Sequence, residues 1–156
     1  MKLAELLPKN AIVIDLKSAD KKGAIKELAS TFKDAYGFKT AKITAITGKI
    51  MDREKQGTTG VGGGVAVPHA KIEGIDGICG AFGKSAAGID FSAIDGEPVN
   101  LIFLVIAPPD KQQDYLETIK RISIVIRKPN VCKFLKQIKT VNEVIELLAE
   151  MDDLVK

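Results

Sequence analysis

Residues 53–71 read Arg53-Glu54-Lys55-Gln56-Gly57-Thr58-Thr59-Gly60-Val61-Gly62-Gly63-Gly64-Val65-Ala66-Val67-Pro68-His69-Ala70-Lys71, and this stretch holds five glycines, two threonines and the only histidine of the chain. So many glycines leave the backbone too free to settle as a helix or an ordinary strand, which predicts a loop. A glycine loop can turn successive backbone N–H groups toward one point. With the Thr58 and Thr59 hydroxyls beside it, the loop makes Gly60, Val61, Gly62 and Gly63 candidate binders of an anion such as a phosphoryl group. Pro68 restricts Val67 to extended geometry, so Val65–Val67 is expected to be a short strand that delivers His69 at its end.

Working outward, Thr40 is a plausible cap for a helix through about Glu54, whose last turn would carry Arg53 to the mouth of the loop on a rigid element. Before it, Ala24, Ile25, Leu28, Ala29, Phe32 and Tyr36 recur at helical spacing with lysines between them, which predicts an amphipathic helix from Asp20 to Tyr36 capped by Gly37. A short helix near Leu3–Leu7 and a strand at Ala11–Leu16 open the chain. Downstream, Gly77–Ser85 and Val99–Ala107 are expected strands, the second almost wholly apolar and therefore covered on both faces. Asp110 can cap a helix from about Lys111 to Arg127 with Leu116, Ile119, Ile122, Ser123 and Ile126 inward. Pro129 starts a short helix to about Ile138, and Thr140 with Glu143 has capping-box spacing for a last helix through Ala149. Helices around a group of strands predict an α/β fold in three layers, α/β/α, with a small mixed sheet flanked by helices on both faces.

The chemistry follows from the histidine. A neutral imidazole is a competent nucleophile and is largely unprotonated near neutral pH. Phosphoryl transfer needs positioning and charge stabilisation. Arg53 is a planar cation that can hold phosphate oxygens in pairs, although beside Asp52 and Glu54 it could also be an exposed ion-pair residue. Two nucleotide readings fail. Gly57–Thr59 lacks the Gly-Lys-Ser/Thr ending of a P-loop, and Gly60-Val61-Gly62 lacks the third small residue of a dinucleotide fingerprint. No carboxylate cluster suggests a metal, and no cofactor is implied.

Composition bounds the rest. At 156 residues the chain has the size of one domain, 1–156, with 46% hydrophobic and 28% charged residues. A formal charge of +3 is too small to imply nucleic acid. Cys79 and Cys132 lack CxxC spacing, so a reduced, cytoplasmic setting with buried structural thiols is expected. The amino end lacks the apolar run of a signal peptide, and the most apolar segment, Leu101–Ala107, is far below bilayer length, so no membrane insertion is expected.

The run Gly57-Thr58-Thr59-Gly60-Val61-Gly62-Gly63-Gly64-Val65-Ala66-Val67-Pro68-His69, preceded by Arg53-Glu54, resembles the active-site signature of the enzyme IIA domains of the bacterial phosphoenolpyruvate-dependent phosphotransferase system, in the fructose/mannitol and nitrogen-regulatory branch. Ile89–Val99 and Leu101 to Pro108 continue the likeness. The resemblance implies a phosphocarrier that takes a phosphoryl group onto His69 from a histidine phosphocarrier protein (HPr) or its nitrogen-branch counterpart. The group would pass to a cysteine of a IIB domain in a sugar route, or would act as a regulatory signal read by a target protein; a regulatory binding module without transfer is the remaining alternative. In many relatives a second histidine helps orient the phosphorylated ring. The matching position here is Tyr115, a possible auxiliary residue that can donate a hydrogen bond but carries no charge, or a ring that simply packs on a helix face.

Overall fold

The computed structural model describes residues 1–155. In chain order the elements are α1 (Leu3–Leu6), a 3-10 turn at Lys9–Ala11, β1 (Ile12–Val13), α2 (Lys21–Ser30), α3 (Phe32–Tyr36), α4 (Thr40–Gln56), β2 (Gly60–Gly62), β3 (Val65–Ala66) and β4 (His69–Lys71). They continue with β5 (Cys79–Ile89), β6 (Val99–Ala107), a second 3-10 turn at Pro109–Lys111, α5 (Gln112–Ile126), α6 (Val131–Gln137) and α7 (Val141–Leu154). The strands form one mixed six-stranded sheet in the order β1-β5-β6-β3-β2, with β4 also on β6. The β5–β6 and β2–β3 pairs are antiparallel, while β1 runs parallel to β5 and both β3 and β4 run parallel to β6.

The central strand β6 is buried along almost its whole length, and its side chains alternate between two cores. Ile102, Leu104 and Ile106 face α2–α4, whereas Leu101, Phe103 and Val105 face α1 and α5–α7. This is the expected three-layer arrangement, and it follows from the period-two alternation of a strand covered on both sides. On the second face the Phe82 and Phe103 rings meet at 4.9 Å between centroids, a contact adding about 1 kcal/mol beyond area burial.

Several expected boundaries move. The first strand shortens to Ile12–Val13 because Lys9–Ala11 is already a 3-10 turn, although the Leu16 N–H still donates to the Lys84 carbonyl. The Asp20–Tyr36 helix is interrupted at Thr31, whose hydroxyl donates back to the Leu28 carbonyl at 2.6 Å and competes with the helix ladder. Asp20 caps it by accepting from the Gly23 N–H, and Gly37 closes it in the left-handed conformation as expected. Thr40 is the first helical residue of α4 and not its cap, and Asp110 lies inside a 3-10 turn and not at a helix cap.

On α5 the buried line is Tyr115, Thr118, Ile122 and Val125, while Leu116 is 54% exposed. The apolar stripe of this helix is wider than the strip the sheet can cover, so the expected inward Leu116 falls outside it. The Thr140–Glu143 cap is present, with the Glu143 N–H donating to Thr140, and α7 continues to Leu154. Its last turn supplies Asp152, which accepts from the Leu3 and Ala4 N–H groups and from Arg121. Cys79 is buried as expected, whereas Cys132 is only half-buried.

Candidate functional site

The site lies where strand pairing stops. Among the described residues β4 pairs only with β6, so its outer edge has no strand beside it. The Ala66 and Ala70 side chains belong to the core under α4, whereas Val65, Val67 and Tyr115 belong to the core under α5. Alternation therefore turns His69 toward α5, where its ring meets that of Tyr115 at 5.8 Å between centroids and 59° between planes. Arg53 comes from the opposite layer, carried by the last turn of α4. An open groove of about 420 Å³ crosses the uncovered edge between the two layers, lined by Lys49, Asp52, Arg53 and Gln56 on one side and by Lys71 and Tyr115 on the other.

The imidazole is fixed in one tautomer. Nδ1 lies 2.7 Å from the Val67 carbonyl oxygen. A carbonyl only accepts, so Nδ1 carries the proton and Nε2 keeps its lone pair. Burial lowers the His69 pKa from its ordinary value, the Val67 carbonyl partly opposes this, and the Arg53 charge lowers it a little further. The neutral form therefore prevails at pH 7. Burial pushes the Tyr115 phenol up to about 12, so it is a neutral donor throughout the physiological range. The Arg53 guanidinium is held by a 3.0 Å hydrogen bond from Nη1 to the Gly57 carbonyl.

Several of the remaining expected binders have partners within the fold. The Thr58 hydroxyl donates to the Phe91 carbonyl at 2.6 Å and accepts from the Gly60 N–H at 3.0 Å. The Thr59 hydroxyl is buried and donates to Glu54. The Gly63 N–H donates to Asp95, and the Val61 side chain stands exposed on the hairpin. Register also separates the hairpin tip from the histidine: Gly62 is opposite Val65, Val65 opposite Leu101, and His69 opposite Val105. Four strand positions amount to about 13 Å. Of the expected phosphoryl cradle of Thr58, Thr59, Gly60, Val61, Gly62 and Gly63, the Thr58 and Thr59 hydroxyls and the Thr59, Gly60 and Gly63 N–H groups thus have partners within the fold. Its glycines serve packing and turning: a Cβ on Gly60 would lie 2.8 Å from the Ala93 Cβ, and Gly62–Gly64 all have positive φ at the hairpin tip.

Glu54 is the residue whose weight the sequence reading underestimated. It is buried, and its carboxylate accepts from the Thr59 hydroxyl, the Thr59 N–H and the Lys21 ammonium. The signal was available in the spacing, because Ile43, Ile46, Ile50 and Glu54 form one continuous buried line on α4. A carboxylate at the end of an apolar stripe must find buried partners. Among the described residues no group of His, Cys, Asp and Glu could hold a metal ion, and no helix is long and apolar enough to cross a membrane.

Comparison with known proteins agrees with this architecture. Residues 5–151 match the family model described as "Phosphoenolpyruvate-dependent sugar phosphotransferase system, EIIA 2". The chain is 34% identical over 149 residues to a nitrogen regulatory protein of Bradyrhizobium diazoefficiens, covering 96% of this chain and 95% of that one. It is 30% identical over 152 residues to a fructose-specific EIIABC component of Bacillus subtilis, covering 97% of this chain but only 24% of that longer protein. The crystal structure of the nitrogen regulatory protein IIA-Ntr from Neisseria meningitidis superposes with a TM-score of 0.84 at 29% identity, covering 94% of this chain and 98% of that one.

Proposed function

The chain belongs to the EIIA 2 family of the phosphoenolpyruvate-dependent sugar phosphotransferase system, and from that premise we propose that it is a phosphocarrier in which His69 Nε2 accepts a phosphoryl group and hands it on. The observation that carries this reading is a neutral imidazole with Nδ1 tied to Val67 and Nε2 unencumbered, at an open strand edge within reach of a guanidinium's field. The donor is the phosphohistidine of a small histidine phosphocarrier protein. As Nε2 attacks phosphorus, the donor's N–P bond breaks and its electron pair returns to the donor imidazole, while the Nε2–P bond forms. Positive charge then develops on the His69 ring, and the Val67 carbonyl stabilises the proton retained on Nδ1. Arg53 offsets the charge on the phosphoryl oxygens, and the Tyr115 hydroxyl donates a hydrogen bond to one of them.

The acceptor reading divides in two. In a regulatory role the phosphorylation state of His69 decides which target protein binds the site face. In a sugar route the phosphoryl group passes to a IIB cysteine. The regulatory reading is favoured by the match along nearly the whole length of a nitrogen regulatory protein, and by Tyr115 standing where the family resemblance places a helper histidine in many relatives. Incubation with phosphoenolpyruvate, enzyme I and the carrier should add an acid-labile phosphoryl group that is lost in His69→Ala. A wild-type mass that does not change removes the proposal. Pull-downs that recover the same partners with phosphorylated and unphosphorylated protein remove the switch.

A further inference from the structure

Arg53 and Glu54 are neighbours in sequence, yet they point about 100° apart around α4. Arg53 reaches the open edge, while the Glu54 side chain is only 2% exposed. Its Oε2 lies 3.0 Å from the Lys21 ammonium and 3.3 Å from the Thr59 backbone nitrogen, and its Oε1 takes the Thr59 hydroxyl. Lys21 belongs to the first turn of α2, and its ammonium stands 5.1 Å from the centroid of the Phe91 ring. The Phe91 carbonyl in turn receives the Thr58 hydroxyl. The segment Gly57–Thr59 is thus fastened at Thr58 and at Thr59, and the Gly57 carbonyl that holds Arg53 Nη1 is the next link along it.

We infer that Lys21, Glu54 and Thr59 form a positioning clamp for phosphoryl transfer: by locking Gly57–Thr59 against α4 they hold the Arg53 guanidinium in the groove facing His69. The inference deepens the phosphocarrier reading and rests on it. Removing a cation from a buried pair leaves an uncompensated carboxylate, so a purely stabilising role would also explain the burial of Lys21 and Glu54. The two accounts differ in what happens to Arg53. A clamp acts through the guanidinium, whereas a stabilising pair does not.

Thr59→Val separates them, because it removes one hydroxyl while leaving the ion pair and the side-chain shape in place, and Thr59→Ser restores the hydroxyl. With single-turnover acceptance from the phosphorylated carrier normalised to folded protein, Thr59→Val should slow transfer about tenfold and Thr59→Ser should recover it. Combining Thr59→Val with Arg53→Gln should be no slower than Arg53→Gln alone. A second measurement needs no phosphorylation. In an NMR titration of His69, Arg53→Gln should raise the pKa in the wild-type background and raise it less in Thr59→Val, where the cation has already drifted. A double variant as slow as the product of the single effects, or an equal pKa rise in both backgrounds, overturns the clamp. A wild-type chain that refuses the phosphoryl group removes the phosphocarrier reading instead, and the titration then decides whether Thr59 positions Arg53.

Discussion

The two ends of the glycine-rich segment 57–64, Gly-Thr-Thr at one and three glycines at the other, are opposite in employment. The Gly57–Thr59 end lies against the last turn of α4 and holds Arg53 and Glu54. The Gly62–Gly64 tip lies four strand positions from His69, with Gly63 bonded to Asp95 through its N–H and to Lys136 through its carbonyl. Glycine density therefore marks where the chain turns, and the proposed chemistry sits where, among the described residues, the β4 edge is left without a partner strand. An edge strand offers space to side chains from both helical layers, and here α4 contributes Lys49, Asp52, Arg53 and Gln56 and α5 contributes Tyr115.

Substitutions at the two ends should separate cleanly. Arg53→Gln should lower the rate of phosphoryl acceptance by about 100-fold, the scale for removing one preorganised charge-stabilising group, in single-turnover assays with saturating carrier. Gly60→Ala should act on stability alone. Its new Cβ would press on Ala93, costing about 1–3 kcal/mol in urea unfolding with transfer per folded molecule preserved. Tyr115→Phe should slow transfer by about tenfold, the worth of one hydrogen bond to a charged oxygen, while leaving the fold intact because the ring still packs on His69. A Tyr115→Phe variant at full rate would reduce the phenol to packing.

The pH dependence tests the environment of the histidine. Because burial lowers the His69 pKa, the acceptor form persists through the ordinary imidazole range, so acceptance should hold from pH 8 down to about 6.5 and decline only below it. The same sign governs folding. The unfolded chain takes up the proton first, so the His69 contribution to stability is intact above its unfolded pKa and diminishes as pH falls from there through the lower folded value. Asp95→Asn, at the tip, should change neither acceptance nor its pH profile. A measurable slowing there would join the tip to the chemistry and break the contrast between the two ends.

Much of this was legible in one dimension. The apolar run of Val99–Ala107 announced a strand covered on both faces, whereas the expected strand Val65–Val67 stops at Ala66 and His69 opens a separate strand, β4, just after Pro68. Arg53 sits at the end of a helix as its spacing from Thr40 suggests. What stayed hidden was the direction of polar groups. A threonine beside a glycine loop has the same letter whether its hydroxyl faces an anion or a neighbouring carbonyl, and only the fold brought Phe91 and Glu54 within reach of Thr58 and Thr59. The facing of Leu116 was hidden for a related reason, since a stripe wider than its contact does not reveal which of its margins is wet.

The Asp152 carboxylate that receives the Leu3 and Ala4 amides has a consequence for the opening of the chain. A four-residue helix cannot nucleate on its own, so α1 borrows its order from an anchor about 150 positions away in sequence. Amide hydrogen exchange at Leu3 and Ala4 should therefore gauge fraying of the far terminus: whatever loosens the last turn of α7 should quicken exchange in the first.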